Sequence, residues 1–398
     1  MNFSNNGNMI RFFAAFILSA FGYEFIFFVM TLYVYDISQN AFKVGVFAAL
    51  TLAPRLFASF YGIAIDRYAR AKVLSVVSGI IGLLMIAMVF MPNLNAIYLL
   101  WTLIAIFLTC ISNARTALMT ELMAHDGFLQ GNSLVLALLN LAKVGAPLIA
   151  GIASSLYRIE TLFYLTGGLY FAVMGLAGQI RLPAADPSIV RRKNIIVDLK
   201  EGLIYMRRNP DVRFLLSVSV LWRLFIGLQI SLFVVYVKAF LGGGDAEYGL
   251  FMTVIGAGSI LGSLVGPWVV KRLPYSTLVF WGLLLHYACF TALGLLHDFR
   301  LALSVAFWGY VIFYVTLVGL HSLRDKATRV DMRGRVYGSV TAVLTPPAIF
   351  SMLGGGYLAD LFGVENILIG AGFFAMTSFI LFSWKRNWGT EAAYEKAH

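Results

Sequence analysis

Gly62-Ile63-Ala64-Ile65-Asp66-Arg67-Tyr68-Ala69-Arg70-Ala71-Lys72 closes one long apolar run and opens the next. A glycine there permits close helix approach, and a carboxylate followed by three spaced cations makes a short polar turn between two buried segments. The flanking runs, 42–64 and 73–91, each approach the roughly 20 residues that a helix needs to cross a bilayer core. Neither alternates in polarity with period two, so they do not read as strands of a membrane barrel.

The same pattern covers all 398 residues. Apolar runs of spanning length fall at 10–34, 42–64, 73–91, 96–118, 132–156, 161–181, 214–238, 249–270, 276–296, 301–322, 337–361 and 366–384. Hydrophobic residues make up 60% of the chain and charged ones 12%, with a mean hydropathy of +0.83. A soluble domain carries about 25% charged residues, so an ordinary water-soluble enzyme is excluded and the bilayer is the solvent. Cys110 and Cys289 lie inside apolar runs and define no disulfide framework. The expected fold is an all-α membrane protein of twelve transmembrane helices in two six-helix pseudo-symmetric domains, 1–181 and 214–398.

The net charge of +11 is mostly topology. Twenty-two of the thirty Lys and Arg residues fall in loops on the side that both termini share, against Lys43, Arg158, Lys238 and Arg300 on the other. The positive-inside bias then makes that side cytoplasmic. No small-residue cleavage site closes the first run, which reads as a retained helix in a bacterial inner membrane. Segment 182–213 divides the spans six and six. Within it Ile195, Ile196, Leu199, Leu203 and Met206 recur at helical spacing opposite Lys200, Glu201, Arg207 and Arg208, which suits a helix on the cytoplasmic interface or a soluble linker helix.

The halves repeat. Gly45 pairs with Gly249, Gly62 with Gly266 and Arg67 with Lys271, all at one offset, which indicates parallel duplicated units with a substrate site near the midplane.

The segment from Gly62 through Asp66-Arg67 to Arg70 and Lys72 resembles the loop signature between the second and third spans of the major facilitator superfamily. Met332-Arg333-Gly334-Arg335-Val336-Tyr337-Gly338 is similar to a sequence of the drug-proton antiporter branch that includes macrolide and enterobactin exporters. The resemblance implies that Gly62, Asp66, Arg67, Arg70, Arg333 and Arg335 form a cytoplasmic gate, with Asp66 latching against the start of span eleven. Arg67 and Lys72 also read simply as topology determinants. Gly145-Ala146-Pro147 to Gly151 in span five is similar to the superfamily's antiporter motif, in which Gly and Pro bend the helix. Pro346 and Pro347, with Gly354 to Gly356, make span eleven a candidate broken or flexible helix. Gly258, Gly262 and Gly266 form a small-residue stripe suited to tight helix packing.

Charges at the bilayer centre are costly and face a cavity or a partner. Glu24, Arg55, Lys143 and Arg223 lie mid-span, and Arg115 near the cytoplasmic end of span four. Glu24 reads either as a proton carrier or as a permanent counter-ion. Four cations to one acid leave positive charge that an anionic substrate would neutralise. Tyr23, Phe27 and Trp222 are aromatic neighbours suited to an amphiphilic ligand. His286 reads as a hydrogen-bonded packing residue, and Asp360 as an extracytoplasmic group met by solvent or an interdomain contact.

The expected function is proton-coupled export, by antiport and alternating access, of an amphiphilic and anionic small organic molecule, either a siderophore-like metabolite or a drug. A lipid or lysophospholipid flippase, or a non-transporting receptor on the same fold, are the alternatives. No HExxH, GxSxG or acidic metal cluster occurs, so no enzyme activity, metal or cofactor is expected. The expected partners are the substrate, protons and the lipid bilayer, with no nucleic acid and a monomeric state.

Overall fold

The computed structural model describes residues 7–58, 61, 68–122, 128–181 and 195–384. Among them every regular element is helical: α1 Gly7–Ser38, α2 Ala41–Leu52, α3 Arg70–Met88, α4 Leu94–Leu122, α5 Phe128–Leu156, α6 Ile159–Gly178, α7 Ile195–Arg208, α8 Pro210–Val235, α9 Asp245–Val270, α10 Tyr275–Leu293, α11 Phe299–Ala327, α12 Arg333–Phe362 and α13 Val364–Trp384. Eleven of the described helices are long and apolar enough to cross a membrane. The remaining expected span, at 42–64, is α2 followed by the 3-10 turn Ala53–Phe57, and 59–60 and 62–64 lie outside the described residues.

That turn is a departure from the sequence reading, which ran one helix through 42–64. Pro54 lacks an N–H and clashes with the preceding turn, so the backbone tightens and Arg55 emerges exposed. Pro147 sits inside an unbroken α5, and α12 likewise runs continuously through Pro346 and Pro347. Gly363 ends α12 at φ 85°, a left-handed conformation that glycine adopts without a Cβ penalty.

Two compact units emerge. The first joins Met1–Gln39, Val46–Lys193 and Gly244–Thr253; the second joins Asn40–Gly45, Asn194–Gly243 and Val254–His398. In the first, α1 packs on α5 and α6, and α3 on α4 and α6. A Cβ on Gly82 would lie 3.2 Å from the Gly167 carbonyl, so α3 and α6 meet at backbone distance. In the second, α8 packs on α12, and α10 on α11 and α13. The Gly258, Gly262 and Gly266 stripe of α9 lies against α11, where a Cβ on Gly266 would come within 2.8 Å of Val318.

Candidate functional site

The polar centre of the first unit is built on one face of α1. Ser19, Tyr23 and Phe27 follow at four-residue spacing, with Glu24 beside Tyr23. The Tyr23 hydroxyl accepts a bond of 3.3 Å from the Arg55 guanidinium, which the 3-10 turn presents. Arg115 of α4 donates to the Ser19 hydroxyl at 3.0 Å and stacks over the Phe16 ring at 4.6 Å. Its Nε is buried without a hydrogen-bond partner among the described residues. Lys143, Arg55 and Arg115 all lie within electrostatic reach of Glu24.

Glu24 is half-buried and forms no ion pair or hydrogen bond among the described residues. A guanidinium held by one hydroxyl and one ring face keeps most of its charge uncompensated, and a half-buried cation in that condition favours an incoming anion. The site therefore combines an uncommitted carboxylate with three cations. Aromatic surface continues beside it: Tyr23 stacks on Phe27, Phe27 on Phe47 at 5.6 Å, and Phe47 leans on Trp101, whose Nε1 donates to Thr51 at 2.7 Å.

The structure thus gathers Tyr23, Glu24, Arg55, Arg115, Lys143 and Phe27 in one unit. Arg223 and Trp222 belong to the second, on α8, with the Arg223 guanidinium 5.2 Å from the Trp222 ring. Also in the second unit, the Tyr310 hydroxyl donates to the Gln229 amide oxygen, and His286 Nδ1 donates to the Gly309 carbonyl at 3.0 Å. His286 is packed edge-on to Phe225 and tilted against Phe313 at 4.6 Å.

Of the gate residues, Gly62, Asp66 and Arg67 lie outside the described residues. Arg70 pairs with Glu121 of α4 at 3.1 Å. Arg333 donates to the Asp325 carbonyl at 3.0 Å, and Arg335 pairs with Glu201 of α7 at 2.9 Å. Gly145 meets open space, whereas a Cβ on Gly151 would lie 2.8 Å from the Gly249 Cα. Asp360 caps α2: its carboxylate accepts from the Ala41 and Phe42 N–H groups at 2.7 and 2.9 Å.

Sequence reasoning missed Ser19, Tyr170 and Glu121. A phenol counted as apolar gives no signal in hydropathy, yet Tyr170 lies within electrostatic reach of Arg115 and its ring would sit 3.3 Å from a Cβ on Gly22. Glu121 falls past the end of its apolar run, where only the continuation of α4 brings it to Arg70.

The sequence profile of the Major Facilitator Superfamily matches residues 12–352. An uncharacterized MFS-type transporter, YfiS of Bacillus subtilis (strain 168), is 24% identical over 325 residues, covering 76% of this chain and 75% of the relative. The enterobactin exporter EntS of Shigella dysenteriae serotype 1 (strain Sd197) is 25% identical over 183 residues, 44% of this chain and 43% of that one. A crystal structure of the nucleoside transporter NupG, in a single-residue variant, superimposes with a TM-score of 0.78 at 9% identity, over 95% of this chain and all of the other. Helical spans, duplicated glycines and profile agree: the chain belongs to the Major Facilitator Superfamily.

Proposed function

We propose that the protein is a proton-coupled exporter of an amphiphilic organic acid, working by alternating access from the cytoplasm. The observation that carries this reading is Glu24, a mid-span carboxylate with no ion-pair partner among the described residues although Arg55, Arg115 and Lys143 lie within its electrostatic reach. A carboxylate committed to one guanidinium would be a static counter-ion. One left between three cations is free to exchange its proton when the cavity changes sides.

The cations alone would not give antiport. An anionic group placed on Arg115 competes with ionised Glu24 for the same positive field, which alone would favour taking up a proton together with the substrate. Antiport requires the substrate to repay ionised Glu24 with a donor, such as a hydroxyl or amide. Protonation from outside then removes that acceptor and releases the cargo. The cargo is accordingly an acid that also carries hydroxyl donors and a ring for Tyr23 and Phe27, as a siderophore-like metabolite does. The partial similarity to an enterobactin exporter supports the same class.

Everted membrane vesicles test this with a catechol-bearing organic acid. Accumulation should require an inwardly acidic gradient and collapse with an uncoupler. Accumulation that is indifferent to the gradient would contradict proton coupling. A carboxylic acid of equal size without hydroxyl donors should be carried at least tenfold less well.

A further inference from the structure

Helix α7 ends at Arg208, two residues before α8 begins at Pro210, and the intervening Asn209 caps α8 by accepting from the Asp211 and Val212 N–H groups at 3.0 and 3.1 Å. The span that starts there reaches Phe240. One end of α7 is therefore held at the level where a span enters the bilayer. Its length is held at the same level by a second span. Gly202 lies so close to Ser339 and the Arg335 carbonyl of α12 that no side chain would fit, Ser339 donates to the Leu199 carbonyl at 3.1 Å, and Glu201 pairs with Arg335 at 2.9 Å. Met206 is buried with Val212, Val336, Val340 and Leu344. The Tyr205 hydroxyl accepts from the Arg329 N–H at 3.1 Å.

The inner face is thus fully used, and the outer face is unusual for a helix in water. Leu203 and Ile204 are 40% and 41% exposed, and Lys200, Arg207 and Arg208 are exposed beside them. Glu201, the neighbouring acid, is already engaged by Arg335. An apolar strip bordered by cations, fixed at the depth of two span entrances, is complementary to a leaflet whose surface is anionic and whose interior is apolar. A soluble acidic partner would match the cations and leave Leu203 and Ile204 unexplained.

We infer that α7 docks on the cytoplasmic leaflet through anionic phospholipid headgroups, with Leu203 and Ile204 inserted and Lys200, Arg207 and Arg208 on the phosphates. The helix is a clamp between lipid and the start of α12. Because Glu201 and Gly202 hold Arg335 and Ser339, lipid docking steadies the cytoplasmic end of that span. This inference is independent of substrate identity and of Glu24.

A nitroxide on Ile204→Cys, in the full chain with Cys110→Ala and Cys289→Ala, reads the docking directly in nanodiscs. In phosphatidylglycerol-containing discs the label should be accessible to oxygen and shielded from a water-soluble nickel chelate. Discs of phosphatidylcholine alone should raise its chelate accessibility several-fold. Lys200→Gln/Arg207→Gln/Arg208→Gln should do the same in the anionic discs, since each cation near a charged surface contributes about a fivefold factor in partition. Equal chelate accessibility in both lipids, or shielding unaltered by the triple substitution, would overturn the proposal. Helical circular dichroism unchanged between the two lipids and in the triple variant separates docking from unfolding of the helix.

Discussion

Two helix crossings in this molecule are built alike and finished differently. In the second unit the start of α2 crosses the end of α12, with Gly45 against the Met352 carbonyl and Gly356 against Ala41. In the first unit the start of α9 crosses the end of α5, with Gly249 and Gly151 only 2.9 Å apart by their would-be Cβ contact. Gly45 and Gly249 are repeat partners, so the close backbone approach belongs to the duplicated plan. The capping does not. The first N–H groups of α2 are satisfied from outside the helix by Asp360, whereas α9 begins with its own acids, Asp245 and Glu247, and Glu247 accepts from the Gly244 N–H at 2.9 Å. Leu156 stands at the position equivalent to Asp360, and Ala41 and Lys43 stand at those equivalent to Asp245 and Glu247. The same helix dipole is thus met across an interface in one crossing and within the helix in the other. Charge removal should consequently loosen one crossing and only fray the other.

The largest effect is expected where both crossings agree. Gly249→Leu and Gly45→Leu each place a side chain against backbone that has no rotamer to yield, and each should cost about 3 kcal/mol. Thermal unfolding in detergent should show both as strongly destabilised, with transport reduced at least tenfold. Near-wild-type stability of either would mean that the backbones do not meet as described.

Next comes the contrast itself. Asp360→Ala should cost about 1–2 kcal/mol and Glu247→Ala about 0.5 kcal/mol, because Gly244 is exposed and water can replace its partner. Equal losses in the same unfolding assay would erase the distinction. Asp360→Asn retains an acceptor without the charge and should fall between wild type and Asp360→Ala. The smallest effect is assigned to Glu201→Gln, whose pair with Arg335 is nearly half exposed at both partners, 46% and 42%. It should change stability by less than about 0.5 kcal/mol.

What the sequence made legible follows from the physics each feature obeys. Span positions are a property of summed hydropathy, and for the eleven described spanning helices the differences lie at the ends. Thus α4 and α11 continue to Leu122 and Ala327, past their apolar runs, because helical hydrogen bonding does not stop where lipid does. The linker helix was legible from its 3.6-residue spacing, but not all of its inner face: Leu203, read as lying opposite Lys200 and Arg207, is exposed on the same side as they are, three and four residues away. The turn at Pro54 was not, since a proline in a spanning run is as compatible with a continuous helix, as at Pro147 and Pro346, as with a break. Glu24, Arg55, Arg115 and Lys143 stand out in the sequence because charge is rare in a span. Asp360 on α2 and Glu121 on Arg70 join positions 318 and 51 residues apart and leave no local mark.

The central claim is that Glu24 moves the proton. Reconstituted protein with a pH-sensitive dye in the lumen tests it most directly, with a catechol-bearing acid supplied on the cytoplasmic face. Wild type should export protons from the lumen in step with substrate entry, whereas Glu24→Gln, which mimics the protonated acid and lacks the ionised acceptor, should bind substrate more weakly and move no protons with whatever it still carries. Proton movement undiminished in Glu24→Gln would contradict the account.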